Sequence, residues 1–268
     1  MNTFFKAAAV LTAGLLALSF TAAAQKKAGI VAHRGYWNCE EAGYAKNSIA
    51  ALKCAQEAGF WGSEFDVNMT SDGVLIVYHD SDIEGKLIEK YPYSEFKDYR
   101  IRNGETIPTI DQYLEQGKKH PETVLVYEMK PHSCPEVEDR FIDLAIANLE
   151  KHDLLHPKRV IFISFSFHIC QELSKRLPRF TVQYLGGDKD PKEVKKAGIK
   201  GIDYHYKKFI KEDQWAKTAR RKGMSTNAWT VNEKDDMKAM FKQKIRYLTT
   251  DYPVDAREVM KSMKMREL

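Results

Sequence analysis

Short runs of β-forming residues alternate with helical patterns from Gly29 onward, and this alternation constrains the fold more than any other feature. Strands separated by helices pair in parallel, which favours an α/β fold built from repeated βα units. A TIM-type (β/α)8 barrel needs eight such units and roughly 250 residues, and this chain has 268. We therefore predict one barrel domain over residues 25–268. The eight predicted strands are Ile30–His33, Ser63–Met69, Val124–Met129, Val160–Ser164, Thr181–Leu185, Gly201–Tyr204, Ser225–Thr230 and Tyr247–Thr250.

Two segments depart from the regular pattern. The run Val74–Tyr78 follows its predecessor after only four residues, which is too short a connection for a parallel crossover. We expect it to fold back as an extra hairpin strand. Residues 80–108 are polar and aromatic, and long loops after barrel strands usually carry function, so we predict a small insertion over one end of the barrel.

The N-terminal 24 residues have the pattern of a secretory signal. Lys6 precedes an apolar run that ends in Ala22–Ala24, and polar chain begins at Gln25. We predict that the protein is exported, either to a periplasm or out of the cell. The alternative is an uncleaved anchor, because the apolar run is long enough to span a bilayer.

The charge of the chain argues for a small ligand. The formal net charge of +5 is mild and spread evenly, whereas a nucleic-acid-binding protein concentrates its basic residues on one face. We expect no nucleic-acid partner and one small anionic ligand.

The four cysteines leave several arrangements open. They are Cys39, Cys54, Cys134 and Cys170, and no pair has the spacing of a metal site. Export permits disulfides, and Cys39 and Cys134 form a possible pair because both are expected in loops after strands. Alternatively, some or all of the four are small buried hydrophobic residues.

Acidic residues at strand ends suggest a metal site. Active sites of closed parallel barrels lie at the C-terminal ends of the strands. Glu64 and Asp66 share one face of the second strand, and Glu128 and Lys130 share one face of the third. Carboxylates buried there need compensation, and their hard oxygen ligands suit Mg²⁺ or Ca²⁺ better than zinc. The alternative is an internal salt-bridge network that uses Arg34 and Lys130.

Two histidines lie close to these acidic residues. His33 ends the first strand and His79 ends the hairpin strand. A histidine titrates near neutral pH, so one can accept a proton while the other donates, as displacement at phosphorus requires. We predict that both are catalytic. The other histidines lack such neighbours and are interpreted as structural: His120, His132, His152, His156, His168 and His205.

Taken together, the motifs of this chain resemble those of the glycerophosphodiester phosphodiesterases, which belong to the phospholipase-C-like phosphodiesterases. The resemblance covers about residues 29 to 260, in the expected order. It is carried by His33-Arg34-Gly35, Asn47-Ser48, Glu64-Phe65-Asp66, Asp72-Gly73, His79-Asp80, Pro108-Thr109-Ile110, Glu128-Met129-Lys130, Trp229-Thr230-Val231-Asn232 and Thr250-Asp251-Tyr252-Pro253.

The resemblance implies a role for each matching residue. It implies a Mg²⁺ or Ca²⁺ ion on Glu64, Asp66 and Glu128, and it implies that His33 and His79 act as general acid and base. The reaction would convert a glycerophosphodiester and water into sn-glycerol 3-phosphate and an alcohol. The attacking group would be the neighbouring glycerol hydroxyl, and water would then open the resulting cyclic phosphate.

The substrate contacts follow from the same resemblance. Arg34 and Lys130 match residues that hold the phosphate, and Trp229 matches a tryptophan that lines the pocket near the glycerol moiety. For Trp229 the alternative is an aromatic side chain that only packs the barrel.

The chain also departs from the family pattern. Lys46-Asn47-Ser48 stands where the family commonly reads Glu-Asn-Thr, which puts the substrate preference in question. Two alternative functions stay open. The same barrel and ligand set occur in phospholipase-D-like toxins and lysophospholipases, so the site could act as a phospholipase-D-like or lysophospholipid phosphodiesterase. Aromatic residues of the insertion would then form an apolar apron, and a membrane enters only as a lipid substrate. Alternatively, the protein could be a degenerate member that binds a phosphodiester without turnover.

Overall fold

The computed structural model describes residues 26–268, so the predicted signal sequence lies outside the described residues. The strands in this part of the chain alternate with helices, as the sequence pattern predicts. In chain order they are β1 (Lys27–Ala32), β2 (Gly62–Met69), β3 (Leu75–Val77), β4 (Asp82–Ile83), β5 (Lys86–Leu87), β6 (Val124–Met129), β7 (Val160–Ser164), β8 (Thr181–Tyr184), β9 (Gly201–His205), β10 (Ser225–Trp229), β11 (Tyr247–Thr250) and β12 (Arg266–Glu267).

The helices begin and end at recognisable signals. Ser48 caps the first helix, Thr109 and Gln112 form a capping box, and Pro135 opens the longest helix. The α-helices in order are α1 (Ile49–Glu57), α2 (Ile110–Gly117), α3 (Pro135–Lys151), α4 (Phe167–Arg176), α5 (Pro191–Lys196), α6 (Tyr206–Lys211), α7 (Trp215–Arg221), α8 (Lys234–Lys242) and α9 (Pro253–Ser262). Within residues 26–268, none of them is both long and apolar enough to cross a membrane.

Eight parallel strands close into a ring, which confirms the predicted TIM-type barrel. The ring runs β1, β2, β6, β7, β8, β9, β10, β11 and back to β1. Strand β3 pairs antiparallel with β2 outside the ring, as predicted for the hairpin, and β12 adds a short parallel pairing to β1. The predicted C-terminal ends of β1, β8 and β10 are one residue too long, because His33, Leu185 and Thr230 lie just beyond the last strand residues.

Apolar side chains fill both sides of the ring. Phe65 and Tyr127 belong to the large cluster that packs the strands against the helices. Val126 and Ile161 belong to a smaller cluster on the opposite face, inside the barrel. Because Glu64 is paired with Val126 in the register of β2 and β6, its side chain also points inside the barrel.

Residues 80–108 form the predicted insertion and have a small core of their own. The hairpin of β4 and β5 and two turns of 3₁₀ helix, Ile88–Lys90 and Tyr93–Glu95, fold around this core. The buried residues of the core are Ile76, Ile83, Ile88, Phe96 and Ile107, with Tyr78, Tyr93 and Tyr99 packed against them. Most aromatic side chains of this region therefore turn inward, and Tyr91 is the exception.

The four cysteines are all free thiols, so the suggested pairing of Cys39 with Cys134 is not formed. Cys134 lies at the N-terminus of α3, whereas Cys39 lies beside Cys54 of α1. Burial and the contact with the Cys39 thiol raise the pKa of the Cys54 thiol to about 12. Cys170 is fully buried in the main core, which agrees with the alternative interpretation of a small hydrophobic residue.

The tight turn after β1 gives a test of the packing between the ring and α1. Gly35 has a positive φ of 79°, and a Cβ atom there would lie 2.6 Å from the Ala51 Cβ. Gly59 also has a positive φ, of 63°, but nothing lies within 4 Å of its Cβ position. We expect Gly35→Ala to lower the free energy of unfolding by about 3 kcal/mol and Gly59→Ala by about 1 kcal/mol, measured by urea denaturation. Equal losses would contradict the close contact with Ala51.

Candidate active site

A pocket of about 190 Å³ opens at the C-terminal end of the ring. This is the end at which barrel enzymes place their active sites. Its polar lining comes from the ends of ring strands and, for His79, from the segment after β3 outside the ring. The residues are His33, Arg34, Glu64, His79, Glu128, Asp203, Trp229, Thr230 and Thr249. The structure thus brings both predicted histidines to the same cavity.

The three predicted carboxylates meet at the wall of this pocket. Glu64 and Asp66 lie on β2, and Glu128 lies on β6 directly opposite Asp66. One oxygen atom from each of the three lies within 4.8 Å of the others, and all three residues are buried. Period-two alternation along β2 and the parallel register to β6 are what place them on one face.

Two cations partly neutralise the cluster, so the salt bridges of the alternative interpretation are present. Lys130 Nζ lies 2.7 Å from Glu128 Oε1 and 3.3 Å from Asp66 Oδ1, and Arg34 Nε lies 3.4 Å from Asp66 Oδ2. Within the described chain, only one carboxylate oxygen of Glu64 is hydrogen-bonded. Its Oε2 accepts a hydrogen bond of 2.7 Å from the Arg34 backbone amide, but its Oε1 is buried without a hydrogen-bond partner.

The remaining charge imbalance changes the protonation of the cluster. Burial, together with repulsion from Asp66, raises the pKa of Glu64 well above its ordinary range and that of Glu128 to about 7. Burial has the same tendency at Asp66, but the charges of Lys130 and Arg34 outweigh it and lower the pKa of Asp66. An unpartnered buried oxygen among hard oxygen donors fits a divalent cation such as Mg²⁺ or Ca²⁺.

His33 is oriented by a carboxylate from the neighbouring strand. Its Nδ1 lies 2.9 Å from Asp251 Oδ1, and Asp251 also accepts hydrogen bonds of 2.9 Å from Trp37 Nε1 and Asn232 Nδ2. Burial opposes ionisation of Asp251, but these bonds and the contact with His33 hold its pKa far below the ordinary range. An ionised acceptor selects the tautomer with the proton on Nδ1. The Nε2 atom, which lies 4.0 Å from Glu64 Oε2, is then left to accept a proton.

His79 reaches the pocket from outside the ring. It follows β3, and its Nδ1 lies 2.7 Å from Asp80 Oδ1. Burial lowers the pKa of His79, and the nearby cations Lys130 and Arg34 add to this effect, whereas Asp66 opposes it. The neutral form is therefore favoured near pH 7, and a pKa tuned by charged neighbours is common at functional sites.

The position of Trp229 agrees with both interpretations, a wall of the substrate pocket and an aromatic side chain that packs the barrel. It lines the pocket, and its Nε1 donates a hydrogen bond of 3.0 Å to the backbone oxygen of Asp203. Its ring also packs edge-to-face against Phe165 and His205, with centroids 5.5 and 5.3 Å apart. The indole is thus fixed as one wall of the cavity.

Sequence reasoning assigned no role to three polar residues that shape the site. Asp251 orients His33, and Asn47 holds the cluster by donating a hydrogen bond of 2.9 Å to Asp66 Oδ2. Asp203 of β9 is buried in the pocket wall with an unpartnered Oδ1. Asp251 and Asp203 carry the signal used for the other acids, a charge at the end of a barrel strand. Asn47 is part of a motif that carries the family resemblance, but its hydrogen bond to Asp66 depends on a left-handed turn with φ 57° that the sequence pattern does not indicate.

The comparisons with known proteins agree on one family. Residues 33–255 match the model of the Glycerophosphoryl diester phosphodiesterase family. A glycerophosphodiester phosphodiesterase from Caldanaerobacter subterraneus subsp. tengcongensis is 27% identical over 84% of this chain and 94% of its own length. One from Bacillus subtilis is 26% identical over 91% of this chain and 93% of its own length.

Solved structures give the same result for the fold. A glycerophosphodiester phosphodiesterase from Parabacteroides distasonis superposes with a TM-score of 0.86 at 39% identity, over 89% of this chain and 99% of that chain. An Oleispira antarctica phosphodiesterase, solved in complex with its product sn-glycerol-3-phosphate, has a TM-score of 0.74 at 22% identity. It covers 87% of this chain and 96% of its own, and at this identity the likeness concerns the fold.

The raised carboxylate pKa values predict how stability depends on pH when no divalent cation is bound. Glu128 releases its proton near pH 4.5 when unfolded and near pH 7 when folded, so the folded state binds more protons between these values. Stability is therefore lost as pH rises through this window. In EDTA we expect the melting temperature to fall by a few degrees from about pH 5 to about pH 8. Added Mg²⁺ or Ca²⁺ should restore more of it at the higher pH.

The variant Glu128→Gln serves as the control for this effect. It cannot ionise, so its melting temperature in EDTA should fall less over the same range. Identical slopes for the variant and the natural protein, measured by differential scanning calorimetry, would contradict the assignment to Glu128.

Proposed function

The chain is an enzyme of the glycerophosphoryl diester phosphodiesterase family, and on this premise we propose that it hydrolyses glycerophosphodiesters to sn-glycerol 3-phosphate and a free alcohol. One observation supports the proposal most strongly. His33, His79 and two of the three clustered carboxylates line a single pocket at the functional end of the barrel. General acid, general base and candidate metal ligands are thus within reach of one small substrate.

In this proposal the phosphate is held by the two cations of the site. Arg34 lines the pocket with its Nε 3.4 Å from Asp66 Oδ2, and its guanidinium would supply positive charge to an anionic oxygen there. Lys130 lies next to Asp66 and Glu128 and directs its positive charge to the same place. Positive groups held in advance stabilise the charge that develops on the phosphate in the transition state.

The two histidines would move the protons. One ring nitrogen removes the proton from the attacking glycerol hydroxyl, and the other histidine protonates the alkoxide of the departing alcohol. Water then opens the cyclic phosphate, with the proton transfers reversed. Asp251 keeps His33 in the tautomer that can accept at Nε2, and Asp80 fixes the ring of His79 from its Nδ1 side.

The residues that would hold a divalent cation are Glu64, Asp66 and Glu128. A bound Mg²⁺ or Ca²⁺ ion would supply positive charge to the nonbridging oxygens of the phosphate. The buried and unpartnered Oε1 of Glu64 supports this assignment, because it lacks the partner that a buried carboxylate oxygen needs.

The pocket favours a small water-soluble substrate over a lipid with its acyl chain. Its volume of about 190 Å³ is below the range of about 300–1,000 Å³ that is typical for larger ligands. The aromatic residues Tyr78, Tyr93 and Tyr99 are half-buried against the core of the insertion, and Tyr78 and Tyr99 also line a groove beside the pocket that carries several positive charges. We further propose that this small substrate is met outside the cytoplasm, after export directed by residues 1–24.

Removal of divalent cations tests the proposed metal. EDTA should abolish hydrolysis of glycerophosphocholine, and Mg²⁺ or Ca²⁺ should restore it, because three buried carboxylates face only two protein cations. Glu128→Gln should need more added cation than the natural protein. The control is Glu138→Gln, which changes a buried carboxylate of α3 that hydrogen-bonds to His132 and Ser166 away from the pocket. Full activity in the chelator would contradict the metal.

Substitution of the histidines tests the acid–base assignment. His33→Ala and His79→Ala should each lower kcat by about 100-fold, the scale of general acid–base catalysis, while circular dichroism shows an intact fold. His156→Ala, in an exposed loop outside the pocket, is the matched control. A loss of less than about threefold at both positions would remove them from the mechanism and favour binding without turnover.

A further inference from the structure

A second cavity adjoins the catalytic pocket and has a different character. This groove, of about 520 Å³, lies between the loop after β1 and the insertion. Its lining combines aromatic rings with positive charges: Trp37, Tyr44, Tyr78, Lys46, Arg100 and Arg102. Among the residues that the structure describes, no carboxylate lines it.

Two residues that line the groove, Trp37 and Tyr78, are connected to the proposed catalytic histidines His33 and His79. Trp37 Nε1 donates to Asp251 Oδ1, the same oxygen atom that contacts His33 Nδ1. Tyr78 immediately precedes His79, and its backbone amide donates a hydrogen bond of 3.0 Å to the backbone oxygen of Asp66. The groove therefore begins where the pocket ends, on the side of both histidines.

The cations of the groove are placed over aromatic rings. Lys46 Nζ lies 4.5 Å from the centroid of the Trp37 ring, and the guanidinium of Arg102 lies 5.5 Å from that of Tyr44. Such contacts keep a long side chain in place while its charge stays exposed to a ligand. In the described part of the chain, Lys46, Arg100 and Arg102 form no salt bridge with a carboxylate. The groove is therefore a region of positive potential.

We propose that this groove binds the departing alcohol and selects alcohols that carry their own negative charge, a carboxylate or a further phosphate. The proposal rests on the proposed function. The small pocket takes the glycerol phosphate end, so the rest of the substrate must extend past the histidines, where the groove begins. Anionic groups can pair there with Lys46, Arg100 and Arg102, and the rings of Trp37 and Tyr44 can stack on a polyol or an amino acid backbone.

Cationic and neutral alcohols fit this groove less well. A quaternary ammonium group such as that of choline gains from aromatic faces, but here it would lie beside three like charges. A neutral inositol would have ring contacts without an ion pair. The expected order of preference is therefore anionic, then neutral, then cationic alcohols.

The test compares substrates that differ in one charged group. Initial rates are measured with glycerophosphoinositol, a glycerophosphoinositol monophosphate, glycerophosphoserine and glycerophosphocholine. We expect kcat/KM for the monophosphate to exceed that for glycerophosphoinositol by about tenfold, mainly through a lower KM. The advantage should shrink in about 0.5 M salt, because exposed charges are screened. Glycerophosphoserine distinguishes a carboxylate requirement from a phosphate requirement.

Charge reversal at the groove assigns the effect to particular side chains. Lys46→Glu and Arg102→Glu should each remove most of the advantage of the monophosphate and improve the KM for glycerophosphocholine. The matched control is Lys217→Glu on α7, an exposed lysine outside the groove that undergoes the same change of charge. It should leave the order of substrates unchanged.

Each outcome has a separate meaning. Equal kcat/KM values for the anionic and neutral inositol substrates would overturn the role of the groove while leaving the phosphodiesterase activity intact. An equal effect of Lys217→Glu would show that the preference comes from net charge and would also overturn it. If none of the four substrates is hydrolysed in the presence of Mg²⁺ or Ca²⁺, the proposed function itself fails.

Discussion

Three carboxylates enclosed on the inner wall of a barrel are the constraint on which the rest of the site depends. Asp66 and Glu128 face each other because β2 and β6 pair in register, and Glu64 lies two residues earlier on the same face. Isolated charges at this depth are very unfavourable, so the surrounding chain has to supply cations and donors. Lys130, Arg34 and Asn47 do so for Asp66 and Glu128, whereas Glu64 Oε1 stays buried without a hydrogen-bond partner.

Closure of the ring brings His33 and Asp251 together. Strands β1 and β11 are separated by most of the chain, yet Ala32 pairs with Thr250 in their parallel register. His33 follows Ala32, and Asp251 follows Thr250, so the two residues are neighbours at the end of the ring. His33 Nδ1 lies 2.9 Å from Asp251 Oδ1. The parallel register of β1 and β11 therefore places the carboxylate of Asp251 where it fixes the tautomer of His33.

The sequence predicted most of the barrel because short runs of β-forming residues alternate with helical patterns along the chain. The register of β2 and β6 then placed the carboxylates on one face, as the alternation of side chains along a strand predicts. The same rule applies to Asp203 and Asp251, but neither was given a role, since the contacts of Asp251 depend on which strands become neighbours on closure. Asn47 belongs to a motif that carries the family resemblance, but its contact with Asp66 could not be predicted because it requires a left-handed backbone. The thiols of Cys39 and Cys54 likewise meet only after α1 has docked.

The insertion was predicted from its length and composition, but which of its side chains are buried was not. A pattern of tyrosines and isoleucines without a regular period does not indicate which side chains turn inward. The structure shows a small independent core around Phe96, with Tyr78 and Tyr99 packed on it. Tyr78 and Tyr99 thus help to hold the insertion together while also lining the groove beside the pocket.

The two histidines are anchored to different parts of the molecule. His33 is fixed to the closed ring through Asp251, whereas His79 follows β3, which lies outside the ring and continues into the insertion. Changes in the insertion can therefore shift the position of His79 while the carboxylate wall of the ring and the setting of His33 stay unaltered.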